Sequence, residues 1–323
     1  MDAIHYSLGL EEANTLVTGP FGKLVEMRYV EKDSLALFEV ADLIGLGKIP
    51  VDQRRPLDIE TRGIGELIAY LINQGKKDIY IGVGGTATND GGLGLAVGLG
   101  YKFYDREGKE LKACGQSLLE WDSIHKEEAI KIPEDVQIYI LADESNPICG
   151  LEGATYIFGG QKGLNPLLFP AVDQAMQDFY QLADARILSM PGAGAGGGMA
   201  AGLVALAGGQ ISSGIEKSLD LIDFDHKVQK ADLVVVGEGR MDLQSLSGKA
   251  PGGVAERTPE KIPVIAICGC LAEDLPAFPS HHIEAAFSIV PGPCEVADAL
   301  AHAERNLISC ARNIGNLLKM KAN

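Results

Sequence analysis

Between Ile79 and Gly94 the chain reads IYIGVGGTATNDGGLG, an apolar strand-like run that breaks into a glycine-dense turn. Glycine lets a backbone approach a ligand closely and turns its N–H groups outward. Gly84 and Gly85, with the hydroxyls of Thr86 and Thr88, therefore offer a cradle for an anion. A helix expected to begin near Leu93 would add the positive field of its N-terminus. Asn89 brings a hydrogen-bonding amide, and Asp90 a carboxylate able to hold Mg²⁺ or accept a proton. The chemistry implied is phosphate handling. The competing reading is a tight turn whose glycines serve packing alone.

Three other segments carry reactive groups. After the apolar run DLVVVG come Glu238, Arg240, Asp242, Gln244 and Lys249, expected to share one loop. Two carboxylates and two cations within a dozen residues suit Mg²⁺ and phosphate, with Asp242 beside Asp90 as a candidate metal ligand. The Gly248–Lys249 pair lacks the GxxxxGK[ST] spacing, and Ala250 stands where a hydroxyl residue would be needed, so this is not a Walker A loop. In ADESNPICGLEGATYIFGGQKG, Asp143 ends an apolar run, and Gln161 and Lys162 follow a glycine pair. Asn146 precedes a proline and serves a turn as readily as a ligand. Finally, PGAGAGGGMAAGLVALAGG places Gly196 and Gly197 before a helix expected over Met199–Ala207, a second anion-ready turn or a site of close helix packing. There is no GxSxG elbow, and the six histidines show no metal-ligand spacing.

The elements that must position these groups read as alternating strands and helices. Strands buried on both faces are expected in DIYIGVGG, VQIYILADE, DLVVVGEG, VIAICG and AAFSIVPG, with a helix in ERNLISCARNIGNLLK. This alternation predicts an α/β architecture with a largely parallel sheet, whose ligands sit beyond the carboxyl ends of the strands. KLVEMRYV and SLALFEVADLIGL alternate enough for an antiparallel hairpin. The first fourteen residues read as a helix, with Ile4, Leu8 and Leu10 on one face.

At 323 residues, two domains are expected. Hydrophobic residues make up 46%, enough for packed cores, and the 40 glycines are about twice the usual share. A net charge of −16 argues against a nucleic-acid surface or an anionic membrane. No long uncharged apolar run and no basic, apolar leader stand in the sequence, and the scattered cysteines suit a reducing, cytoplasmic setting. The Cys268–Cys270 pair has no zinc-like partner pair.

Taken together, RRPLDIETRGIGELI, IGVGGTATNDGGLGLAVGLGYKFYDREGKEL, ADESNPICGLEGATYIFGGQKG, GAGAGGGMAAGL, DLVVVGEGRMDLQSLSGKAPGGVA and IPVIAICG resemble the type I glycerate kinase family. The resemblance implies a flavodoxin-like parallel-sheet domain and an inserted mixed α/β domain with a cleft between them. It places the inserted domain at 16–225 and the flavodoxin-like domain at 1–15 and 226–323. It implies ATP, Mg²⁺ and D-glycerate as partners, with 2-phosphoglycerate as product, and it is compatible with a homo-oligomer. The leading site residues by resemblance are Asn89, Asp90, Glu238, Arg240, Asp242 and Lys249, followed by Asp143, Gln161 and Lys162. The family's N-terminal strand and two charged turns have no counterpart in this sequence, so the flavodoxin-like sheet is expected to be incomplete. Gly160 and Glu144–Ser145 also depart from the pattern. Two alternatives accompany this reading: a catalytically silent homologue that only binds, and a nicotinamide-dependent oxidoreductase. The second rests on a partial GxGxxG match with Ala87 in its last position and needs an acidic residue, Asp105 or Glu107, at the end of the next strand.

Overall fold

The computed structural model describes residues 2–247 and 249–321. Gly248 thus lies outside the described residues. The chain divides into two compact units, 1–214 and 215–323.

The first unit runs α1 (Asp2–Leu8), β1 (Glu11–Thr18), β2 (Leu24–Lys32), β3 (Leu35–Glu39), α2 (Ala41–Ile44), α3 (Arg62–Asn73), β4 (Asp78–Gly82), α4 (Leu93–Gly98), β5 (Lys102–Tyr104), β6 (Ser123–His125), β7 (Gln137–Leu141), α5 (Ala154–Phe158), α6 (Phe169–Ala183), α7 (Met199–Ala207) and β8 (Gln210–Ser212). One sheet has the order β1-β2-β3-β4-β7-β8. Its β1–β2 and β2–β3 junctions are antiparallel, and β3–β4, β4–β7 and β7–β8 are parallel. β5 and β6 pair separately and antiparallel. The β2–β3 hairpin is as expected, but the helix expected over the first fourteen residues stops at Leu8 and gives way to β1. That strand is a sheet edge with Glu11 and Glu12 exposed and Val17 buried, so it carries little apolar periodicity to announce it.

The helices that frame the sheet follow their apolar spacing. Ile64, Leu67, Ile68 and Leu71 form the buried stripe of α3, and Val172, Ala175, Met176, Phe179 and Tyr180 that of α6. α7 occupies the expected Met199–Ala207, bounded by left-handed Gly198 and Gly208. α3 and α4 meet backbone to backbone: a Cβ on Gly65 would lie 2.1 Å from the carbonyl of Leu95.

The second unit takes up from α8 (Gly214–Leu221) and continues with α9 (Phe224–Val228), β9 (Val234–Met241), α10 (Ala250–Arg257), β10 (Val264–Leu271), β11 (Ala285–Ser288), α11 (Val296–Ala301) and α12 (Ala303–Lys321). Its strands form a parallel sheet, order β11-β10-β9. The expectation that DLVVVGEG is buried on both faces does not hold. β9 is an edge strand that buries Val236 and Met241 and leaves Val235 54% exposed. Among the described residues no helix is long and apolar enough to cross a membrane.

Candidate active site

Beyond the carboxyl ends of β4 and β7 in the first unit lies a cavity of about 310 Å³, the position where parallel sheets hold their ligands. Val83, Gly84, Gly85 and Thr86 line it from the β4 turn, Asp143 and Glu144 from the end of β7, and Gln161 and Lys162 from the segment after α5; Gly196 closes it.

The glycines of this region fall into two kinds. A Cβ on Gly84 or Gly85 would meet nothing within 4 Å, so both face open space. A Cβ on Gly197 would lie 2.2 Å from the carbonyl of Thr88, and one on Gly198 2.5 Å from Gly91 Cα. Gly91 N donates to Gly197 O at 3.0 Å. The second glycine turn therefore serves chiefly to let two loops touch, with Gly196 at the cavity and Gly197 behind it.

Lys162 joins these loops. It is 4% exposed, and its Nζ donates to Thr88 O at 2.8 Å and to Thr86 Oγ1 at 3.3 Å. The Thr86 hydroxyl in turn donates to Gly196 O at 2.9 Å. Burial pulls the lysine down to about 7, and the nearby Asp90 carboxylate works in the opposite direction. Asp143 is exposed at the cavity, its Oδ1 accepting from Gly214 N at 2.8 Å.

Asn89 and Asp90 lie deeper and do not line the cavity. Asn89 Nδ2 donates to Thr155 Oγ1 at 3.0 Å, and among the described residues Asn89 Oδ1 has no partner. Asp90 is fully buried, which pushes its carboxyl above the usual range against the hydrogen bonds it accepts. Those come from Thr61 Oγ1 at 2.5 Å, Gly92 N at 3.1 Å and Gly94 N at 3.2 Å. Thr61 and Tyr180, whose hydroxyl donates to Gly91 O, are parts of the site with no warning in the sequence. They reach it only through tertiary contact.

In the second unit the five charged and polar groups expected in one loop are divided. β9 extends through Met241, so Glu238 and Arg240 belong to the strand, opposite Cys268 and Cys270 of β10. Only Asp242, Gln244 and Lys249 follow it. Asp242 Oδ1 accepts from Gln244 N at 2.9 Å and Ser245 N at 3.1 Å. The Ser245 bond leads in holding this carboxyl below its ordinary value. Lys249 Nζ donates to Gln244 Oε1 at 3.1 Å. Glu238 Oε2 is buried without a partner among the described residues. Among those residues no three His, Cys, Asp or Glu side chains are grouped to hold a metal ion.

The dinucleotide alternative fails on topology. β5, the strand after α4, pairs antiparallel with β6 outside the main sheet, and Asp105 is spent on its own turn, accepting from Glu107 N and Lys109 N at 2.9 Å each.

Comparison with known proteins agrees with this topology. A family model described as the glycerate kinase family matches residues 1–319. A protein named glycerate kinase from Neisseria meningitidis serogroup B is 60% identical over 99% of this chain and 86% of its own length. One named glycerate 2-kinase from Escherichia coli K12 is 35% identical, over 95% of this chain and 82% of its own. A crystal structure described as glycerate kinase 2 from Salmonella typhimurium LT2 superposes with a TM-score of 0.85 at 35% identity, covering 99% of this chain and 86% of that one. By sequence over nearly its whole length, and by fold, the chain belongs to the glycerate kinase family.

Proposed function

We propose that this chain is an ATP-dependent kinase that phosphorylates D-glycerate on its 2-hydroxyl. The observation that carries the reading is the 60% identity, over 99% of the chain, to a protein named glycerate kinase. The E. coli relative's name favours the 2-hydroxyl.

Phosphoryl transfer asks for alignment and charge neutralisation more than for covalent chemistry. In the first unit, the outward backbone of Gly84 and Gly85 and the Lys162 ammonium suit the anionic end of a small acid. Asp143, exposed at the same cavity, accepts the proton of the attacking hydroxyl. In the second unit, Arg240 and Lys249 are cations suited to a phosphoryl group, the Arg by its planar fork and the Lys as a point charge. Mg²⁺ in such enzymes is held by one or two carboxylates together with substrate phosphates. Asp242, pinned through Oδ1, has its other oxygen for the ion, and the buried Glu238 Oε2 lacks a partner. When bound, the ion offsets phosphate charge. Asp90 keeps the β4–α4 turn in shape from behind, with its oxygens already engaged by Thr61, Gly92 and Gly94.

The test is ADP release and ³¹P NMR of the product with the purified chain, ATP, Mg²⁺ and D-glycerate. Glycerate-dependent ADP with 2-phosphoglycerate as product is expected, and Asp143→Asn should lower kcat by about 10²–10⁴-fold. No glycerate-dependent ADP would reject the kinase reading and leave a protein that only binds.

A further inference from the structure

The cavity beyond β4 and β7 has one cation and two carboxylates among its lining residues: Lys162, Asp143 and Glu144. With Gln161 they make a site whose charge does not suit a nucleotide. A triphosphate would bring about four negative charges against Asp143 and Glu144 with one ammonium to meet them. A short hydroxy acid fits both inventories, since its carboxylate needs one cation and its hydroxyls are donors that Asp143, Glu144 and Gln161 can accept from. Size points the same way, because about 310 Å³ accommodates a three-carbon acid and lies at the lower limit of small-molecule pockets.

Within the cavity the lysine is held rigidly. Its bonds to Thr88 O and Thr86 Oγ1 use two of the three donors of an ammonium, which leaves one N–H uncommitted in a residue that lines the cavity. Beside it, the Cβ direction of Gly84 is empty to 4 Å. We infer that Lys162 is the specificity-determining residue of this cavity, reading the carboxylate of a short hydroxy acid through its remaining N–H. The inference rests on the kinase reading only for which acid is used.

Burial pulls the lysine down to about 7, so above neutral pH the empty protein holds it mostly uncharged. The charged group that acts on it is Asp90 from the β4–α4 turn, while Asp143 and Glu144 from the end of β7 line the same cavity. An arriving carboxylate adds one more negative group and drives the lysine to its charged form, so binding at pH 8 takes up a proton.

The experiment is calorimetry without ATP, comparing D-glycerate with neutral glyceramide on the full chain, Lys162→Gln and Gly84→Val. The native chain should bind glycerate about 10- to 100-fold tighter than the amide, as one charge-assisted hydrogen bond allows. Lys162→Gln should bring the two ligands within a few-fold of each other, chiefly by weakening glycerate. Gly84→Val should lose both ligands with an unchanged melting temperature. Should Lys162→Gln fail to fold, the native chain at pH 8 in buffers of different ionisation enthalpy serves instead. Proton uptake with glycerate and none with glyceramide is then expected. The inference falls if the glutamine variant keeps the preference, if it weakens both ligands equally, if no proton is taken up, or if the native chain binds neither. Because no nucleotide is present, these outcomes are independent of whether ADP is released in the kinase assay.

Discussion

Glycines that look alike in the sequence do opposite things here. Gly84 has open space where a Cβ would go, whereas a Cβ on Gly197 would lie 2.2 Å from Thr88 O, and Gly197 also sits at φ +75°. Gly197→Ala should therefore cost about 2–4 kcal/mol in urea unfolding, from a left-handed backbone and an overpacked contact, and Gly84→Ala should leave the midpoint unchanged. Equal midpoints for the two variants would refute the distinction. Lys162 makes a separate prediction in pH. Its folded value of about 7 lies below the unfolded lysine value of about 10.4. Between them the unfolded chain binds more protons, so stability gained from this group rises with pH from about 7 to about 10.4. Subtracting the melting profile of Lys162→Met should isolate that rise, and a flat difference would show that the lysine is not buried as described. At this scale the sequence disclosed residue types but not burial. Gly84, Gly85, Thr86, Asp143, Gln161 and Lys162 were legible because they follow apolar runs. That Asp90 would be enclosed depends on Thr61, 29 residues away in sequence, which no local pattern signals.

Elements were legible where burial imposed a period and obscure where it did not. β4, β7, β10 and α7 fall on their apolar runs, while β1, half polar at a sheet edge, does not stand out. The continuation of β9 through Glu238 and Arg240 was hidden for a related reason: polar side chains on an edge strand look like a loop, and the pairing with β10 alone makes them strand. In the second unit an ionic cluster joins three helices. Arg257 of α10 meets Asp225 of α9 with two bonds, Nε–Oδ1 at 3.1 Å and Nη2–Oδ2 at 2.6 Å. Its Nη1 reaches Asp220 at 2.7 Å and Glu216 Oε2 at 3.2 Å, both on α8. These carboxylates are half exposed, so each pair contributes modestly, but removing the arginine leaves three like charges together. Arg257→Ala should destabilise the second unit by about 1–2 kcal/mol, with the loss shrinking as salt rises. Arg257→Lys should recover little, because an ammonium cannot make the forked pair with Asp225. Full recovery by lysine would mean that only net charge matters there.

For the whole molecule, alternation of strands and helices sufficed for α/β architecture, with 46% hydrophobic residues in short runs to build its cores. How unequal those cores are follows only from packing. The first unit buries one face of its central strands, with Ile79, Ile81, Ile138 and Ile140 at 2% exposure or less, and stacks Tyr80 on Tyr139 over the other. The second relies on a three-stranded sheet around Val236, Met241, Val264, Ala266 and Ile283. Its long α12 buries Ile314 yet exposes Leu307, Ile308, Leu317, Leu318 and Met320. Less apolar burial means a lower free energy of opening. Buried thiols stand in each unit to report it, Cys114 in the first and Cys268 in the second. Burial pushes both thiols up, so neither reacts appreciably while closed. In a urea series with pulsed alkylation read peptide by peptide, Cys268 should lose protection at lower urea than Cys114. The exposed Cys270 and Cys294 label throughout and calibrate the pulse. Coincident midpoints for Cys114 and Cys268 would instead mean that the two units unfold as one cooperative block, and that the smaller core is no weaker than the larger.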